Sequence, residues 1–170
     1  MATLAVTADG KVKDGAKSQP YLSTPANETW PRFSPEPNPR WAAYQSDETG
    51  KDEVYIDSFP ERRGAVQIST GGGTYPQWGP ISGDRNELFY VSGDSWLMAA
   101  DLRLVQGRVE ASPAHKLFAL APAEAGAGSS PYDTAPDGQR FLVRTPVDTV
   151  RPLTVVVNWP ALLKKGSGTR

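Results

Sequence analysis

Thr29-Trp30-Pro31-Arg32-Phe33-Ser34-Pro35 and Thr74-Tyr75-Pro76-Gln77-Trp78-Gly79-Pro80 are two copies of one pattern: threonine, aromatic, proline, polar, aromatic, small, proline. Pro31 and Pro76 are 45 residues apart, and so are Phe33 and Trp78. The match continues downstream. Residues 41–46 (WAAYQS) pair with residues 87–92 (ELFYVS), Tyr44 lying 46 residues before Tyr90. Residues 53–56 pair with residues 96–99, Val54 lying 43 residues before Leu97. A further short strand is expected after each, at 66–68 and at 116–118. A period of about 40–45 residues marks a repeated supersecondary unit, and four short strands per unit are what a β-propeller blade requires.

A third copy starts at Pro131-Tyr132-Asp133-Thr134-Ala135-Pro136-Asp137-Gly138. Asp137-Gly138 is a hairpin turn pair. Residues 140–143 then form the second strand, and 153–158, rich in β-branched residues, the third. The expected fold is therefore all-β: a partial β-propeller of four-stranded antiparallel blades, two complete and two partial. Its propeller segment covers 1–165. Residues 1–26 supply outer strands of a preceding blade, with a strand at 3–7 and another at Tyr21-Leu22. Residues 27–70 and 71–119 are the complete blades, and 131–160 a last, incomplete one. Residues 120–130, rich in Ala, Gly and Ser, read as a flexible loop, and 161–170 as a tail.

Composition agrees with many short elements between many turns. The chain of 170 residues carries 16 Gly and 16 Pro, a dense turn punctuation. Basic residues number 18 and acidic ones 19, for a net charge of −1 with no long block of either sign. Nucleic-acid binders show clustered Lys and Arg, so no nucleic-acid partner is expected. No apolar run approaches the roughly 18 residues that span a bilayer, so no membrane insertion is expected. Cysteine is absent, which excludes disulfides, thiol catalysis and Cys-based zinc sites.

The quoted residues resemble the PD40 (WD40-like) repeats of TolB-like bacterial propellers. The family pattern is Pro-x-Phe-Ser-Pro-Asp-Gly, an apolar strand, a short turn and a third strand. Pro31-Arg32-Phe33-Ser34-Pro35 matches the opening, and 135–143 match the last copy. Ile68-Ser69-Thr70-Gly71-Gly72-Gly73 and 153–159 resemble the C-terminal part of propellers in TolB-like periplasmic proteins and behind bacterial serine/threonine kinase domains. Residues 35–40 depart from the family's tight Asp-Gly turn, and 79–86 are also longer than a tight turn needs. The resemblance implies a non-catalytic scaffold for protein or ligand binding, in a periplasmic or extracytoplasmic setting. The alternative it implies is an accessory or sensor propeller of a larger enzyme, a serine/threonine kinase or serine peptidase, whose catalytic domain lies outside this sequence. A closed propeller needs at least about four blades, so a homo-oligomer completing the ring is expected.

Catalytic readings fare poorly against structural ones. His115 is the single histidine, in a stretch that reads as an exposed turn or edge strand. A nucleophile triad needs a base beside a nucleophile. Gly93-Asp94-Ser95-Trp96-Leu97 begins like a nucleophile elbow but lacks the closing glycine and falls between two strands. Gly71-Gly72-Gly73-Thr74 lacks the lysine of a phosphate loop and serves as permissive backbone between units. Asp47, Glu48, Asp52 and Glu53 fit no calcium-loop spacing and read as turn residues. No catalytic residue, metal or cofactor is expected. Most aromatics sit at repeated strand positions and read as packing between sheets. Trp30, Tyr75 and Tyr132, at the start of each first strand near a channel mouth, are candidate partner contacts with Arg32, Gln77 and Asp133.

Overall fold

The computed structural model describes residues 1–3, 11–80, 86–105, 108–121 and 129–144. Within them all regular structure is β, and every strand pairing is antiparallel. A short pair comes first, β1 (Ala2–Thr3) with β2 (Gln19–Pro20). The first large sheet follows in sequence order: β3 (Glu28–Phe33), β4 (Trp41–Ser46), β5 (Glu53–Ser58) and β6 (Val66–Gln67). The second sheet is β7 (Gly73–Trp78), β8 (Asn86–Ser92) and β9 (Trp96–Val105), with β9 shared by β10 (Arg108–Ala111) and β11 (His115–Ala119). A hairpin of β12 (Tyr132–Thr134) and β13 (Phe141–Val143) closes the series.

The sheets stack in chain order because each large sheet is apolar on both faces. Along a strand, alternate side chains point to opposite faces. Trp41, Ala43, Val54 and Ile56 meet Trp78, Leu88, Tyr90 and Leu102 between the first and second sheets. The opposite face of the second sheet, Phe89, Val91, Leu97 and Ala99, packs on Tyr132, Phe141 and Val143. The opposite face of the first sheet, Tyr44 and Tyr55, packs on Leu22, Tyr21 and Met1. This explains why β4 and β5 are buried at every position despite carrying Gln45, Ser46, Glu53, Asp57 and Ser58. Each large apolar side chain so buried contributes roughly 1.5–3 kcal/mol.

Two expectations need correction. The strand expected at 96–99 runs on to Val105, and its far half pairs with β10 in an added hairpin. In the first sheet the matching strand stops before Phe59-Pro60, where proline removes a ladder donor. No proline stands at 100–105, and Leu102 and Leu104 extend the apolar stripe onto the first sheet. Tyr21 and Leu22 do not form the outer strand, which lies at Gln19–Pro20; they are core residues instead. The described part of the first strand of that segment is Ala2–Thr3; residues 4–7 of the strand expected at 3–7 lie outside the described residues. The strand expected at 153–158, the tail and most of the 120–130 loop also lie outside them.

Candidate functional site

The repeated motif builds the same local structure twice. Thr29 faces Gln45 and Arg32 faces Ala43, so Trp30 and Pro31 together oppose one residue, a β-bulge. Thr74 faces Val91 and Gln77 faces Phe89, which places Tyr75 and Pro76 in an equal bulge. Proline cannot donate to the ladder, so the pairing must skip there. The aromatic before it takes a positive φ, 54° at Trp30 and 55° at Tyr75. That conformation is strained for a bulky residue and persists only where its surroundings hold it. Here the Trp30 and Tyr75 rings meet edge to face, 4.8 Å between centroids. The Tyr75 amide donates to Gln45 Oε1 at 3.4 Å, and the Arg32 guanidinium lies 5.8 Å from the Trp30 ring centre.

The third copy is offset from the expected alignment. Ser34, Gly79 and Ala135 each donate their amide across the hairpin at the end of the first strand, to Trp41, Glu87 and Arg140. Counting back two residues makes Arg32, Gln77 and Asp133 equivalent. Tyr132 then stands where the first two copies have Pro31 and Pro76, and Pro131 stands where they have Trp30 and Tyr75. Tyr132 is accordingly 3% exposed, so the expectation that it faces a partner is corrected. Its Oη donates to the Tyr75 carbonyl at 2.9 Å, and burial pushes its pKa well above the ordinary value of 10.0. Gln77, also buried, donates to the Tyr132 carbonyl at 2.8 Å. Trp78 Nε1 donates to the Arg32 carbonyl at 3.1 Å. The six candidates thus gather along one row of first strands. Gln77 and Tyr132 tie sheets together, Trp30 and Tyr75 are half-buried, and Arg32 and Asp133 are exposed.

Two buried carboxylates organise the connections: Glu53, read from sequence as a turn or strand residue, and Asp57, which the sequence did not single out. Glu53 is 1% exposed. Its Oε1 accepts the amides of Gly71 and Gly72, each at 2.9 Å, and its Oε2 accepts the Ser69 hydroxyl. Ser69 Oγ in turn accepts the Val54 amide at 2.8 Å. Glu53 therefore clasps the segment that leads from the first sheet to the second. Gly72 has φ 112°, and a Cβ at Gly73 would run into the Ser69 side chain, so glycine is required at both. At the other end of β5, Asp57 accepts the Ser58 amide at 2.7 Å, the Arg63 amide at 3.1 Å and Arg62 Nε at 2.8 Å. A sequence signal existed for the first clasp only: the Ser-Thr-Gly-Gly-Gly run needs an acceptor for its turning amides.

The other candidates resolve into structure. His115 lies exposed on edge strand β11. Ser95 has φ 62° in the turn before β9, where the Asp94 carboxylate meets Lys116 at 2.7 Å and accepts from Ser92. Gly50 closes a turn by donating to the Asp47 carbonyl, and Asp47 Oδ1 accepts the Asn27 amide at 2.7 Å. Among the described residues no group of three His, Cys, Asp or Glu is placed to hold a metal ion. Comparison with protein-family models, curated proteins and solved structures returns no match to this chain.

Proposed function

We propose that the chain is a segment of a β-propeller serving as a non-catalytic interaction scaffold, with exposed Arg32 and Asp133 and half-buried Trp30 of the first-strand row as its contact surface. The observation that carries this reading is the concentration of cross-sheet ties on the first strands. The Trp30–Tyr75 ring contact and the bonds Trp78 to Arg32, Gln77 to Tyr132 and Tyr132 to Tyr75 all join them. Among the described residues no hydrogen bond, ion pair or ring contact joins β6 to β10 or β11 at the outer edge. At the outer edge the sheets meet only through apolar side chains, Ile68, Val109 and Ala114 on the shared core, and sheets bonded at one edge but only packed at the other suit wedges in a ring.

Rigid sheets carrying loops at their ends are common binding platforms, which supports the scaffold role over catalysis. The described strands make a four-stranded sheet, a five-stranded sheet and two short two-stranded pairs, so ring closure calls on more strands. A second copy is the proposed source, in a head-to-tail arrangement that closes when the rotation fits. Light scattering across a range of concentrations tests closure: a mass of two or more copies is expected, and a monomer at high concentration contradicts it. A screen with ester, peptide and phosphoester substrates is expected to show no turnover, and turnover that survives repurification would overturn the non-catalytic reading.

A further inference from the structure

The added β9–β10 hairpin does more than lengthen the second sheet. Leu104 projects from it toward the far end of the first sheet, opposite the end that carries Trp30. Between them lies a cavity of about 440 Å³ lined by Trp41, Phe59, Pro60 and Leu104, with Arg40, Arg63, Ser58 and Glu61 around it. That volume is within the range of small-molecule sites, roughly 300–1,000 Å³.

The charged groups are arranged unequally. Arg40 is largely exposed, and its amide and its Nε both donate to Glu36 Oε1, at 3.2 and 3.5 Å. The Arg63 guanidinium has no hydrogen bond or ion pair among the described residues. Yet the loop that carries Arg63 is firmly held. Buried Asp57 accepts the Arg63 backbone amide and binds the neighbouring Arg62, and Ser58 Oγ donates to the Glu61 carbonyl at 2.6 Å. A buried carboxylate thus fixes a loop whose next side chain is a cation without a partner among the described residues, beside an apolar floor. Trp41 lines the same cavity, and its buried indole N–H has no acceptor among the described residues. Pre-organised first contacts backed by a second layer of bonds characterise binding sites rather than ordinary surface.

The geometry points to a site for a small carboxylic acid with a flat or branched apolar body, its carboxylate on Arg63 with Arg40 alongside and its body against Trp41, Phe59 and Leu104. A guanidinium fork matches a carboxylate in shape and charge. All of these contacts lie within one chain, so the site exists whether or not a ring closes.

The test uses sodium benzoate as probe and neutral benzamide as its control. Titration is followed by the indole N–H resonance of Trp41, assigned with Trp41→Phe. A saturable shift with benzoate, and at least about tenfold weaker binding of benzamide, is expected if a charge-assisted bond anchors the ligand. Arg63→Gln should weaken benzoate to the level of benzamide while leaving the remaining amide spectrum in place, and Arg63→Lys should fall between. Equal affinity for both probes, an unchanged affinity in Arg63→Gln, or no saturable shift at all would overturn the assignment.

Discussion

Removing the Glu53 carboxylate should loosen the joint between the two large sheets more than any surface change nearby. Glu53 accepts three hydrogen bonds, from Gly71, Gly72 and Ser69, while itself buried. Hydrogen bonds to a charged group are each worth about 1.5–3 kcal/mol. Gly71 is exposed and Gly72 half-buried, so water takes over part of their share in the variant. Ser69 is fully buried and regains nothing. The expected cost of Glu53→Ala is therefore about 2–4 kcal/mol, a large fraction of the roughly 5–15 kcal/mol that holds a domain together. Glu53→Gln keeps one acceptor oxygen and should cost less, about 1–2 kcal/mol. Lys51 lies 3.8 Å from Glu53 but is 57% exposed, and such surface pairs contribute about 0–1 kcal/mol. Lys51→Ala should therefore be nearly silent. Urea unfolding followed by tryptophan fluorescence gives each value from the midpoint and slope. If Glu53→Ala and Lys51→Ala unfold at the same midpoint, the clasp is not what holds the connection.

Three further outcomes follow from the same contacts. Gly73→Ala should destabilise by about 1–3 kcal/mol through overpacking against Ser69, and Ser69→Gly in the same chain should not restore it, since the Ser69 hydroxyl also serves Glu53 and Val54; denaturation of the single and double variants checks this. Tyr132→Phe removes one bond to the Tyr75 carbonyl and should cost about 0.5–1.5 kcal/mol, whereas Tyr132→Ala empties a core position and should cost about 3–5 kcal/mol, both measurable by thermal unfolding. Burial raises the pKa of Tyr132 and Tyr90 and pushes Tyr44 up to about 12, so the folded state holds these protons more tightly than the unfolded chain. Stability from them is complete below the ordinary value of 10.0 and declines as pH rises above it, and tyrosinate absorbance should appear together with unfolding rather than before it.

The strand order was legible because the repeat carries its own ruler. Pro31 and Pro76, Tyr44 and Tyr90, and Val54 and Leu97 each mark the same place in successive sheets, and 41–44 and 88–91 are apolar throughout, as strands buried on both faces require. The β9–β10 extension was not legible from the repeat, because it has no counterpart in the first copy; only the apolar alternation of Ala100, Leu102 and Leu104 announces it. Tyr132 misled because aromatic side chains stand at neighbouring positions in different copies, and only the hairpin bond from Ala135 to Arg140 fixes the register. Glu53 was hidden among acidic turn residues. Its partners lie 16 to 19 positions away, and sequence spacing alone does not bring them to one carboxylate.

The proposed wedge arrangement can be measured directly, since a chain without cysteine accepts spin labels at chosen sites. Thr29 and Thr74 are equivalent first-strand positions, and Gln67 and Lys116 are equivalent outer-strand positions, by the ladder registers of the two sheets. Double electron–electron resonance on Thr29→Cys with Thr74→Cys, and separately on Gln67→Cys with Lys116→Cys, diluted with unlabelled protein, compares the two edges within one chain. A distinctly longer outer distance is expected. Equal distances at both edges would mean sheets stacked in parallel, and no ring could be built from them.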